Sequence, residues 1–520
     1  PGPAHASLPF AALRPNPANR PRLTAAAFAR DGLVDEPRLQ LAAAGPFTFA
    51  HLPGASDPAY LGESPEVRLT PAIRAKAAEL GHDPVAIYEW VRNHVTWLPT
   101  WGAMQEAELT LATRRGNALD VASLLIALLR ASGIPARYVH GTLEVAAARF
   151  QAWAGGFATP EAALHFAASG GIPIEGVVRG GRLAAVRMEH VWVEAAIDYL
   201  PSRGAVNRDA DSWIALDASF KEVERLPGLD AAAIAGLDPA ALAQAFAASG
   251  QVNAQEGWAT GFDPAILEGA QAQAQAALEA YLAAHLPQAT VGEVVGGTRI
   301  VPSHAPFLPS TLPNPVVAVG GRYAALPEAL EHRVTFSLGA GSDGQGAAVT
   351  LPWARVNNQK ITLAFKPATA ADEEALRSLL PAGPITDPAQ LPTSIPAYLV
   401  HVIPELAVEG TVVLQGRPMG LGETLPFGFR IEMPGQSLVK QATSPVVAGS
   451  YLAVAAVGGS VSPARLRTLQ DRLAATRDTL AAGDPGAAAG LGRERLLGDL
   501  FYAGTLGYFA EYTALAQVMS

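Results

Sequence analysis

The 520-residue chain contains no cysteine. Disulfides, zinc–thiolate sites and thiol catalysis are therefore excluded for the chain as it stands. Charged side chains are sparse, at 16%, and acidic ones outnumber basic ones to give a net charge of −10. Nucleic acids and anionic membranes need basic patches, so neither is an expected partner. No apolar run approaches the roughly 18 residues of a membrane span. The densest run, Val121 to Leu129, reads instead as a buried helix. Of the histidines outside the constellation described below, His51, His82, His94, His140, His165, His285, His304, His332 and His401 show no metal-ligand spacing, and no metal or cofactor is expected. An initiator methionine is missing as well. A chain opening on Pro1 fits a removed leader, and the expectation is an exported bacterial protein: periplasmic, cell-surface or extracellular.

What is present is core-forming material: 49% of the chain is hydrophobic, and its length suggests two to four domains. Residues 1–69 are rich in Pro and Ala and read as an extended lead-in. From Thr70 the pattern turns helical. Asp83-Pro84 opens one helix, because Asp caps free amides and Pro suits the first turn. Gly116 to Ala131 is apolar nearly all round, as a central helix would be, and Gly133 with Pro135 ends it. Strands are expected at Arg137–Val145, His190–Ile197 and Trp213–Ala218, with an inserted segment from Ala146 to Val186. Residues 70–225 form this core. An Ala-rich helical segment and Pro-rich linker follow at 226–315, with Asp238-Pro239 and Asp263-Pro264 as helix starts. Short strands fill 316–460 and suggest an antiparallel β-sandwich, with Asn357-Asn358 as a hairpin turn. Helices return at 461–520, starting at Ser462-Pro463. The last of these is crowded with Leu, Phe and Tyr, so it docks back on the sandwich, belongs to a longer polypeptide or covers a partner.

The chemistry concentrates in three places. Residue 118 stands at the start of the buried helix, in Arg115-Gly-Asn-Ala-Leu-Asp120. There the free amides and dipole would favour an anion and an oxyanion. His190, Trp192 and Glu194 share one strand face by the two-residue period, and Trp213, Ala215 and Asp217 share another. Pairing the two strands would bring the Asp217 carboxylate to the His190 ring.

The order of these elements resembles the transglutaminase-like superfamily. So do the words Leu124-Leu-Ile-Ala-Leu-Leu-Arg-Ala-Ser-Gly-Ile-Pro-Ala-Arg-Tyr-Val139, His190-Val-Trp-Val-Glu194 and Trp213-Ile-Ala-Leu-Asp217, over roughly Val85 to Lys221. The resemblance implies an α+β, papain-like core that carries out thiol-dependent acyl transfer or amide cleavage on protein or peptide substrates. It assigns the nucleophile position to Ala118, the base to His190 and the orienting carboxylate to Asp217. More loosely, the chain resembles domains of large bacterial surface proteins with RHS-type repeats. Trp101 and Gln105, which precede the helix, and Trp192 are candidates for substrate contacts, although buried indoles more often pack a core.

The departure from the family is the alanine itself. Ser123 and Ser219 would need another geometry to replace a thiol. Two origins stay open: a deliberate exchange of Cys for Ala, or natural loss. The coherence of Gly-Asn-Ala-Leu-Asp, in which Asn117 can cap and Asp120 suits a first turn, favours natural loss. Two functions follow. One is an acyl-transfer site disarmed at its nucleophile; the other is a non-catalytic binding or structural module of a larger exported assembly.

Overall fold

Capping chemistry sets the helix starts of the core. A computed structural model describes residues 52–339, 346–381, 392, 394, 396–435 and 440–519. Most of the lead-in, with His51, lies outside them. Helix α1 (Pro71–Glu79) follows the Thr70 cap. Helix α2 (Pro84–His94) starts where Asp83 Oδ1 accepts from the amides of Val85 and Ala86 at 2.7 and 3.2 Å. Strand β1 (Thr96–Trp97), helix α3 (Ala107–Thr113) and strand β2 (Arg115–Gly116) lead to helix α4 (Ala118–Ala131), and β1 and β2 pair in parallel. Every residue of α4 from Ala118 to Arg130 is buried, so its near-uniform apolarity matches a helix with neighbours on all sides.

Beside α4 lies a five-stranded antiparallel sheet. Strand β3 (Ala136–Ala146) is followed by helices α5 (Ala147–Trp153) and α6 (Pro160–Ser169), then β4 (Ile174–Arg179), β5 (Arg182–Ile197) and β6 (Ser212–Leu216). The order is β7-β3-β5-β4, with β6 paired to the other end of β5 and β7 formed by Val316–Tyr323. The fold is α+β, as expected. Three details differ from the expectation. The inserted segment holds a short helix, α5, and β5 begins at Arg182, well before His190. Val316–Tyr323, read as the first part of the sandwich, joins the core sheet beside β3 instead. A period-two reading identifies a strand but carries no information about its partner.

The second half builds two antiparallel sheets around one apolar core that includes Val334, Phe336, Ile361, Leu363, Leu406 and Leu425. One sheet runs Ala347–Pro352, Arg333–Leu338, Thr424–Glu432, Lys440–Val447; the other runs Thr411–Gln415, His401–Val408, Lys360–Pro367, Leu452–Ala455. Asn357-Asn358 is not a hairpin turn between paired strands. It links a strand of one sheet to a strand of the other, and both side chains are buried. Asn357 Nδ2 donates to Met104 O and Gly458 O, and Asn358 Nδ2 to Ser460 O. Ser462 caps the helix Pro463–Ala481. The last helix, Asp499–Met519, buries Tyr502 and Leu506 against Ala455, Val461 and Leu469, while Phe501, Tyr508 and Tyr512 stay exposed.

Residues Val223–Arg299 form a compact unit of their own. It contains the helices Ala231–Ala235, Pro239–Ser249 and Pro264–His285, the two longer ones capped by Asp238 and Asp263. None of these three helices has a fully buried residue. The stacked rings of Phe246 and Phe262, 5.0 Å apart, tie the unit together.

Candidate functional site

Residue 118 is the first residue of α4, one position after the cap. Asn117 Oδ1 accepts from the amides of Leu119 and Asp120, both at 3.0 Å, and Asp120 Oδ2 accepts from the Asn117 amide at 3.2 Å. This reciprocal box fixes the backbone on both sides of Ala118, which is itself 5% exposed. Asp120 also takes the amides of Met104 and Gln105 at 2.9 and 3.0 Å, so it ties the preceding loop to the helix start. Burial raises the Asp120 carboxyl to about 6, although these amide bonds work against the shift. A second anchor comes from Asn117 Nδ2, which donates to Gly102 O at 2.7 Å.

His190 and Asp217 meet because β6 pairs with β5. Val193 lies opposite Leu216, and the chain leaving β6 turns back toward residue 190. His190 Nε2 lies 3.1 Å from Asp217 Oδ2 and 3.2 Å from Ser219 Oγ. The hydroxyl of Ser219 donates to Asp217 Oδ1 at 2.7 Å, and the Ser219 amide donates to the same oxygen at 2.9 Å. Burial alone would raise the Asp217 carboxyl. The facing imidazole and the Ser219 donors outweigh it and hold the group below the usual carboxylate range. An ionised carboxylate only accepts, so in the neutral ring Nε2 carries the proton and Nδ1 keeps a lone pair. With its proton committed to Asp217, Ser219 is no nucleophile in this arrangement. Ser123 donates to Leu119 O inside the helix and pairs with the Tyr138 hydroxyl, each at 2.8 Å.

Three residues around this pair had no motif to mark them. Tyr88 of α2 donates to Asp217 O at 3.3 Å. Lys221, fully buried, donates its Nζ to Val95 O at the end of the same helix. Burial lowers the Lys221 ammonium to about 7, with Asp217 opposing the shift. Trp153 Nε1 donates to Ser219 O at 3.1 Å, and its ring meets His190 edge-on at 5.6 Å. The loop that carries Asp217 is therefore held at its start, middle and end. Only the lysine four residues after Asp217, Lys221, could have hinted at this from sequence.

The residues expected to contact substrate make internal contacts. Trp101 is buried, and its carbonyl oxygen lies 2.8 Å from His332 Nε2. Gln105 Nε2 donates to Arg115 O at 2.9 Å. Trp192 lies over Gly141, where an added Cβ would come within 2.6 Å of its ring. A second buried pair, His140 and Glu189, has Nε2 and Oε2 2.6 Å apart without hydrogen-bond alignment. Strand alternation puts this pair on the face of β3 and β5 opposite His190. Among the described residues, no group of three or more His, Cys, Asp or Glu side chains has the geometry of a metal site, and no helix is long and apolar enough to cross a membrane.

A buried, capped helix packed beside an antiparallel sheet that carries a His–carboxylate pair makes this an α+β domain with the elements of an acid–base site. Residues 68–218 match the family model of the transglutaminase-like superfamily, and the chain thus carries a transglutaminase-like domain. No curated protein and no solved structure matches the chain.

Proposed function

We propose that residues 68–218 form an acyl-transfer site whose nucleophile position holds Ala118, so that the chain engages a protein or peptide partner without turning it over. The observation that carries this reading is the Asp217-held imidazole of His190, which keeps the Nδ1 lone pair for a proton that alanine cannot supply. With a thiol at residue 118, that nitrogen would take the sulfur proton. The thiolate would add to an amide carbon, and the imidazolium would return the proton to the departing amine, leaving a thioester for water or a second amine to open. The capping box takes up the amides of Asn117, Leu119 and Asp120, so stabilisation of the thiolate and the oxyanion would fall to the helix dipole and the Ala118 amide.

The test is Ala118→Cys, with the iodoacetamide alkylation rate followed against pH, with and without His190→Ala. The expected result is a thiol that titrates well below the free value of about 8.5 and loses that shift without His190. A thiol indifferent to His190 would overturn the acyl-transfer reading and leave a binding module built on the same scaffold. The unaltered chain is expected to show no thiol-dependent amide turnover.

A further inference from the structure

Trp153 closes the helix α5, in the segment between the strands that carry Gly141 and His190. Beyond its own helix it meets four partners at once. Its ring stacks on Trp97, with centroids 4.1 Å apart and planes at 23°. It meets His190 edge-on at 74° and Phe220 at 5.0 Å and 64°. Its Nε1 donates to Ser219 O. Trp97 is in turn paired with Gly116, two residues before Ala118. Two stacked indoles thus join the strand leading to the nucleophile position to the ring of the expected base.

We propose that Trp153 is a positioning residue for His190, fixing the ring plane in which Nε2 meets Asp217 and Nδ1 points away from it. This rests on the acyl-transfer reading above. The physical reason is that rotation of an imidazole about its second side-chain torsion is broad and roughly two-fold. One hydrogen bond at Nε2 leaves the ring able to swing, and a flip exchanges Nδ1 for a carbon. A large ring packed nearly perpendicular to it, with centroids 5.6 Å apart, removes that freedom, and the bond to Ser219 O keeps Asp217 and the indole in one unit. His190 is only 1% exposed, so water offers the ring no competing partner.

Two readouts test this. In the Ala118→Cys background, Trp153→Leu is expected to slow alkylation at neutral pH by about tenfold or more and move its pH profile toward that of a free thiol. Trp153→Phe, which keeps a ring against His190, should recover most of the rate. In the unaltered Ala118 chain, nitrogen NMR of His190 should show one tautomer, protonated at Nε2, and Trp153→Leu should give a mixture. An unchanged rate together with a single tautomer in the leucine variant would overturn the proposal. If the introduced thiol ignores His190→Ala, the acyl-transfer reading fails on its own, and the NMR comparison still decides the role of Trp153. Should the leucine variant not fold, Trp97→Leu removes the stack while leaving Trp153 in place, and the same tautomer measurement decides.

Discussion

Two carboxyls buried side by side cannot both ionise cheaply, and this chain holds such a pair at Glu66 and Glu331. Burial, with Glu331 adding to it, raises Glu66 to about 7. The folded side chain therefore keeps its proton up to about pH 7, whereas an unfolded one releases it near 4.5. Because the folded value is the higher one, the pair's contribution to stability is complete below 4.5 and is lost as pH rises through 7. Asp120 has the same sign, so the informative quantity is the difference between the native chain and Glu66→Gln, which mimics the protonated acid. Urea unfolding of both at pH 5 and pH 8 should show the native chain losing more stability than the variant on the alkaline side. Equal losses would mean that Glu66 is ionised in the folded state. Lys221 illustrates the opposite case, a cation lowered by burial, tolerated because Val95 O accepts a hydrogen bond from it and Asp217 lies near.

The element that most depends on its surroundings is the start of α4. The loop before it is held from the helix side by Asp120 and Asn117, and from the C-terminal half of the chain by Ala103 N to Leu330 O at 2.8 Å and Asn357 Nδ2 to Met104 O at 2.8 Å. Gly102 sits in its middle with φ of +93°, where a Cβ would come 2.6 Å from Pro434 Cγ and 2.8 Å from His332 Cδ2. Gly102→Ala is expected to cost about 1–3 kcal/mol, from strain as well as contact. Asn117→Ala should cost about 1–2 kcal/mol through the lost cap, and denaturant unfolding would measure both. If Gly102→Ala is silent, the seam is looser than its contacts imply. This element also shows what a sequence can reveal. The helix starts at Asp83, Asn117, Asp238, Asp263 and Ser462 were all legible, since a cap is a local interaction between residues two or three apart. So was the meeting of His190 and Asp217, once their strands were taken as neighbours. The assignment of Val316–Tyr323 to the core sheet, the Asn357-Asn358 link between sheets and the helix ending in Trp153 were not legible. Each depends on partners far away in the chain, and the signal of a strand or short helix is the same whichever neighbour it finds.

At the scale of the whole molecule, the unit Val223–Arg299 leaves and re-enters the chain at one point. Val301 N donates to Glu222 O at 2.9 Å, so the two flanks already lie side by side without it. Its base is a two-stranded ladder of Val223–Pro227 and Gly296–Ile300, with Arg299 paired to Glu224 at 2.6 Å. An excursion with adjacent ends adds little loop-closure entropy to the rest of the chain, because closure cost grows only with the logarithm of loop length. Among the described residues, the buried apolar cluster of the transglutaminase-like domain includes none between 223 and 299. Replacing those residues with a short Gly-Ser turn should therefore leave the remaining chain folded, with its melting transition moved by no more than a few degrees. Combined with Ala118→Cys, the same excision should leave the His190-dependent thiol reactivity within about twofold. Calorimetry and the alkylation assay check the two halves of this prediction. A collapse of the melting transition would show that 223–299 stabilises the core. An intact transition with a changed thiol would instead assign that unit a direct part in the site.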